Sequence, residues 1–391
     1  MKKNILLVAV IVLFFSCNNA GKKGSGVGTL QDLVKNGPVT LDLTQKLPER
    51  EIVLQDVADV SYIPLETTDE VLLGRYRKIA AITDNLILAI NQEGVVVFHA
   101  DGTILSHFNK KGGSGQEYTG ISQFYFDDKT KEIYIANNEQ ARIQVYDPEG
   151  KYIRTIAYPY RLSTAFFKKM NDKFLIFENN ITIDTKRDTI FQPYMLLSEK
   201  DASCSRLDIN ITKPVVVVLK SERVTLRMFN EGNRHYGDGA LLCDNSTDTI
   251  YYLSNKIELA PILTIQPSIS QSEFYYEPKF ICDNYLFLRT FSKKFIVENS
   301  KADMGEEYLL YDFATGELSP YKLINKDFPD NKVVYIEGTQ TPKNTLTYFL
   351  EAGDILDAYE EDKLNGPLKD IAETLDHDDN PVLMLVKFHE N

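Results

Sequence analysis

The residues from which this 391-residue chain could build a reaction centre are five histidines, four cysteines and its many carboxylates, and their spacing offers little chemistry. His99 falls in a hairpin turn, His107 on a β-patterned segment and His389 at the C-terminus. His377 belongs to the acidic run Asp376-His377-Asp378-Asp379, which lacks the ligand spacing of an EF-hand loop. His235, in Arg234-His235-Tyr236-Gly237-Asp238, stands among polar groups on a glycine-flanked loop, where binding residues are often carried. Its plainest reading is a solvent-exposed loop histidine. Arg289 follows an inner-strand pattern and either lines a channel or pairs with one of the acids. Arg234, His235 and Arg289 are therefore the candidate ligand-binding residues, and no catalytic residue or metal ligand is identified. The sequence contains no GxSxG, HExxH or P-loop, and no GxGxxG following a strand. Cys204, Cys243 and Cys282 are spaced by 39 and 39, but three thiols cannot all pair and no CxxC is present. They read as small buried hydrophobes on strands.

The N-terminus supplies an address. Met1-Lys2-Lys3 is a basic start, and Ile5 to Phe15 is an apolar run of eleven residues, too short to span a bilayer permanently. Ser16-Cys17 closes it. A small residue before a lone cysteine resembles a bacterial lipobox, with Phe14 and Phe15 in the relaxed form seen in Bacteroidetes-type lipoproteins. That resemblance implies a signal peptide over 1–16 and lipid attachment at Cys17, holding the body at a membrane. Residues 17–38 then form a tether, since Asn18 to Asn36 is rich in Gly, Lys, Ser and Asn and has no sustained apolar period. Asn18 is not the aspartate of inner-membrane retention, and the acidic cluster of surface export is missing. An outer-membrane, periplasm-facing position is expected ahead of the cell surface.

Composition narrows the partners. The formal net charge of −13 repels nucleic acid and anionic headgroups. Tyr and Phe supply 43 residues and Trp none, which suits strands.

Those strands repeat. Val95-Val96-Val97-Phe98-His99-Ala100-Asp101-Gly102-Thr103-Ile104-Leu105 and Ile143-Gln144-Val145-Tyr146-Asp147-Pro148-Glu149-Gly150-Lys151-Tyr152-Ile153 have one pattern, with Gly102 and Gly150 48 residues apart. Each is a strand, a polar turn ending in glycine, and a second strand. A period near fifty built from strands predicts propeller blades. Weaker echoes place inner strands at 86–90, 132–136 and 285–288, with further blades over 174–197, 239–253, 285–312 and 345–388. The predicted fold is all-β over 39–391: a single six-bladed β-propeller of four-stranded antiparallel blades. Its ring is closed by pairing 39–43 or 60–65 with Val382 to Phe388. One short helix is predicted from Asn365-Gly366-Pro367, with Leu368, Ile371, Ala372 and Leu375 on one face.

Lys111-Gly112-Gly113-Ser114-Gly115-Gln116-Glu117-Tyr118 resembles the Gly-rich loop that begins NHL-type repeats. Tyr62-Ile63-Pro64-Leu65-Glu66-Thr67, Asp248-Thr249-Ile250-Tyr251 and Asn380-Pro381-Val382-Leu383 resemble the six-bladed β-propeller lipoproteins of Bacteroidetes, a TolB- and NHL-like group. The resemblance implies the fold and an envelope location, and no catalytic assignment. The expected function is a noncatalytic binding or scaffolding module for a protein, peptide or glycan partner, with a monomeric body and no cofactor. The alternative is a propeller hydrolase or lyase holding a divalent cation such as Ca²⁺ in its channel.

Overall fold

The computed structural model describes residues 28–45, 47–74, 77–158, 164–178, 192–211, 217–220, 225–228, 232–244, 246–293, 296–298, 301–303, 305–328, 333–334, 336 and 342–390. The signal segment and Cys17 lie outside the described residues. Blade one is Lys78–Ile82, Leu86–Asn91, Gly94–His99 and Ile104–Phe108, and blade two is Gln123–Asp127, Glu132–Asn137, Arg142–Tyr146 and Tyr152–Ala157. Blade three is Thr164–Met170, Lys173–Glu178, Tyr194–Ser198 and Cys204–Arg206. Blade four is Arg234–Tyr236, Gly239–Leu242, Thr249–Leu253 and Leu259–Gln266. Blade five is Phe274–Ile281, Tyr285–Ser292, Glu307–Asp312 and Glu317–Ile324. Blade six joins Thr345–Leu350, Val382–Phe388 and, from the far end of the chain, Ala58–Pro64. The protein is a six-bladed propeller.

The first strands of blades one and two, two and three, and four and five touch one another along the axis. The runs expected as inner strands, 86–90, 132–136 and 285–288, are instead second strands. They are the most apolar segments because a sheet covers both of their faces, as the unbroken burial of Leu86 to Ile90 shows. The first strands are shorter or more polar.

Closure uses the N-terminal segment more fully than expected. Of the two candidate strands, the later one closes the ring, pairing Ala58 to Pro64 antiparallel with Phe388 to Val382. The earlier one, Val39–Asp42, adds parallel to the outer strand of blade four, and Arg50–Val53 does the same on blade five. Both cover edges that would otherwise be open. Part of the expected tether is also ordered: Leu30–Asn36 is a helix, with a capping box between Thr29 and Asp32. Leu30 and Leu33 are buried among Leu263, Ile265 and Leu318. Two buried leucines sufficed to dock a helix too short to show a period.

Two asparagines seal the seam. Asn380 is buried with its side chain fully used: Oδ1 accepts from the Leu73 amide at 2.8 Å, and Nδ2 donates to the carbonyls of Glu66 at 2.8 Å and Val71 at 2.9 Å. Asn325 donates to the Tyr62 hydroxyl at 2.8 Å, and that hydroxyl donates to Asp327 at 2.6 Å. Burial, reinforced by Asp327, pushes the Tyr62 phenol far up, so it remains a donor.

Where one helix was predicted near the C-terminus there are two, Ala352–Glu360 and Gly366–Ala372. Ile355, Leu364, Leu368 and Ala372 pack on Leu346, Val382 and Met384. Because strand direction alternates, inter-blade crossings and second-to-third-strand connections emerge at one end of the ring. The hairpins Val217–Lys220/Thr225–Met228 and Ile296–Glu298/Lys301–Asp303 and this helix pair all sit in such connections. The other end carries short turns, Gly237-Asp238 among them. Among the described residues no helix is long and apolar enough to cross a membrane.

The repeat glycines hold their turns for steric reasons. Gly102 has φ +89°, and a Cβ there would lie 2.1 Å from the Pro64 carbonyl oxygen of the closing strand. Gly102→Ala should lower stability by about 2 kcal/mol or more, whereas Gly113→Ala, with open space around it, should leave the thermal midpoint unchanged.

Candidate functional site

A concentration of buried charge lies where the inner edges of blades four and five meet. Glu277, on the first strand of blade five, is 4% exposed. Arg289 stands directly opposite it on the second strand and donates to Oε2 through Nη2 at 2.6 Å and Nε at 3.2 Å. Arg234, from the first strand of blade four, reaches Oε1 at 3.1 Å, and Lys279 reaches the same oxygen at 3.1 Å. Three cations thus share one carboxylate, with Glu306 on the far side of Arg289 at 3.1 Å.

Local backbone irregularity makes this possible. The pairing of the first two strands slips between Pro278 and Phe280, so Lys279 is the extra residue of a bulge. Its freed carbonyl accepts from Arg234 Nε at 3.0 Å. Pro278 is tolerated because this strand is an edge and its missing N–H would face the axis. Burial opposes charge on Glu277, yet Arg234, Lys279 and Arg289 together hold its carboxyl below the usual range. Lys279 is moved the other way: burial and the two arginines outweigh its share of Glu277, and its ammonium is pushed down.

A second carboxylate adjoins the first group. Asp283, in the first turn of blade five, accepts from Lys343 Nζ at 2.7 Å, Asn344 Nδ2 at 3.1 Å and the Tyr236 hydroxyl at 2.5 Å. Burial disfavours its charge, but these bonds hold its carboxyl below the ordinary value. Arg234, Lys279, Lys343 and Asn344, with His235 and Tyr236, line a narrow cleft between blades four, five and six at the short-turn end of the ring. At its floor there is room for roughly one water-sized group.

Behind the cleft, nearer the axis, is a buried cation. Lys168, on the first strand of blade three, is 3% exposed and donates to the Gly237 carbonyl at 3.0 Å. Its ammonium also lies 5.8 Å from the Tyr125 ring. Burial pushes its pKa down to about 8, against a smaller opposing pull from Asp238. His235 packs 4.8 Å from the Phe166 ring and stacks on Tyr125 at 6.3 Å, bringing blades two, three and four together. Its Nδ1 is buried and has no hydrogen-bond partner among the described residues. Burial, then Lys168 and Arg234, drive the imidazole pKa well down, so the ring is neutral at pH 7.

Of the residues chosen from sequence, Arg234 and Arg289 meet on Glu277, and His235 neighbours them facing the opposite way along the same strand. His235 is not the exposed loop residue expected: it lies on the strand Arg234–Tyr236 and is largely covered. Cys17 lies outside the described residues. Lys168, Glu277, Lys279, Asp283 and Lys343 were missed, although the charge inside Phe274-Tyr275-Tyr276-Glu277-Pro278-Lys279-Phe280-Ile281 was a readable signal. Cys243 and Cys282 are buried as expected, whereas Cys204 is exposed on an outer strand; all three are free thiols. Among the described residues no group of three His, Cys, Asp or Glu is placed to hold a metal ion.

The fold has relatives. A crystal structure of a Bacteroides fragilis protein described as a putative exported protein is similar over 90% of this chain and 100% of its own, at 15% identity and a TM-score of 0.62. A member of the DUF4221 family from Bacteroides vulgatus aligns over 85% of this chain and 97% of its own, at 9% identity and a TM-score of 0.46. No curated protein matches in sequence. Residues 38–387 match the model of a domain of unknown function, DUF4934, which spans the whole ring, and the chain belongs to that family.

Proposed function

We propose that this protein is an envelope lipoprotein, anchored through Cys17 at the outer membrane and facing the periplasm. Its propeller is a noncatalytic binding module for a protein, peptide or glycan partner, and the cleft between blades four, five and six is the contact site. The observation that carries this reading is the rigid cationic wall: Arg234, Lys279 and Lys343 are fixed in place by Glu277 and Asp283 before any ligand arrives. Preorganised polar groups on strands lower the ordering cost of binding. The leader sequence and the exported neighbour from Bacteroides fragilis support the location.

A pull-down of the tagged, full-length protein from detergent-solubilised envelopes tests the function. One stoichiometric partner, lost in Lys343→Ala, is the expected result; no partner together with a bound metal in elemental analysis contradicts it and supports a hydrolase or lyase. For the anchor, Cys17→Ala should move the protein from the membrane to the soluble fraction. Retention at the membrane would refute lipidation.

A further inference from the structure

We propose that the cleft between blades four, five and six is a receptor for a carboxylate, supplied by a small organic acid or by an acidic side chain of a partner. The inference rests on reading the cleft as the binding site and names the chemistry that site takes. Two features point to an anion. First, Lys279 holds only a share of Glu277, which also serves Arg234 and Arg289. Second, Lys168 stands behind the Gly237 wall with a carbonyl as its one hydrogen-bonding partner among the described residues, for an ammonium with three N–H donors.

The titration of these groups agrees with their placement. The basic forms of Lys168, Lys279 and His235 are all favoured, by burial first and by neighbouring cations at Lys279 and His235. The positive field at this mouth comes instead from the arginines and lysines gathered there, Arg234, Lys279, Arg289 and Lys343, in a protein of net charge −13. An arriving carboxylate would enter that field where one is already well accommodated: Glu277 shows that Arg234, Lys279 and Arg289 can hold such a group. The narrow floor admits the tip of a ligand and not a ring, which suits a carboxylate on a flexible stem. Lys343, whose side chain is 34% exposed, is held at the rim by Asp283 at 2.7 Å, within reach of solvent and of an entering ligand.

Calorimetric titration of the full-length protein in detergent tests this with three probes: succinate, an eight-residue glutamate-rich peptide with an amidated C-terminus, and uncharged succinamide. Binding of succinate or the peptide, with none of succinamide, is expected. Succinate binding identifies a free acid as a sufficient source, and binding of the peptide alone identifies an acidic side chain. Lys343→Gln should weaken the active probe about tenfold, the loss of one charge-assisted bond. Glu277→Gln should tighten it, because the built-in competitor is neutralised; should that variant fail to fold, the rim substitution at Lys343 carries the test. Failure of both acidic probes to bind, or an unchanged affinity in Lys343→Gln, overturns the proposal. If a pull-down partner is nevertheless lost in Lys343→Ala, the binding-module reading stands and only its carboxylate chemistry falls. If that partner is also missing, both fall.

Discussion

Truncating the chain after His377 should abolish cooperative folding and leave an insoluble product. The missing segment, Val382–Phe388, is the middle strand of blade six, paired with Thr345–Leu350 on one side and Ala58–Pro64 on the other. Val382, Leu383, Met384, Val386 and Phe388 are all essentially buried. Each such side chain contributes about 1.5–3 kcal/mol by burial, so their joint loss is as large as the roughly 5–15 kcal/mol by which domains are stable. The cut also deletes Asn380, which ties residues 66–73 to the seam. Two strands would be left with open edges, the condition that promotes aggregation. Size-exclusion chromatography and thermal unfolding monitored by circular dichroism measure the outcome. A soluble monomer with a sharp transition would show that the ring closes elsewhere.

Replacing Lys168 with methionine should have the opposite sign, raising stability at pH 7 by about 1–3 kcal/mol. A buried ammonium held by one carbonyl is costly, and methionine fills a similar volume without a charge. The pH dependence separates this cause from better packing. Lys168 titrates near pH 8 in the folded protein, against an ordinary value of 10.5 when unfolded. Between those values the unfolded chain binds more protons, so wild-type stability gains from this residue as pH rises through that window. Below pH 8 the full cost is present; above pH 10.5 it is gone. The advantage of Lys168→Met should therefore be largest at pH 7 and shrink steadily towards pH 10.5, as chemical denaturation at several pH values will show. A variant less stable than wild type at pH 7 would mean that Lys168 is structurally compensated. A residue that costs stability and is kept beside the cleft is what a binding role for that region calls for.

Much of the scaffold was legible because blades one and two repeat with little drift. Their turn glycines mark the register, and Gly102 in addition contacts the closing strand. The assignment of inner strands failed for a physical reason: the most apolar runs are those covered on both faces, and those are second strands. First strands such as Arg234–Tyr236 are three residues long and polar, so no period announces them. The parallel additions Val39–Asp42 and Arg50–Val53 were equally unreadable, since their pairing depends on strands more than two hundred residues away.

The site divides in the same way. Arg289 stood out on an inner-strand pattern and Arg234 on a glycine-flanked loop, and the structure brings both to one carboxylate. The acid they share, and Lys343, come from other segments, and only closure of the ring brings blades four, five and six to one cleft. Lys168 was hidden beside Lys169, whose own ammonium is paired with Asp127 at 3.0 Å and Glu199 at 3.2 Å. Adjacent lysines on a strand face opposite ways, and only the structure tells which one has no carboxylate partner among the described residues.

Hydrogen–deuterium exchange of the full-length protein, with and without the ligand or partner recovered from envelopes, addresses the binding site most directly. Slower exchange confined to peptides covering 232–237, 277–283 and 342–346 is the predicted result. Protection instead over the helix pair at 352–372, with the cleft peptides unchanged, would contradict the account.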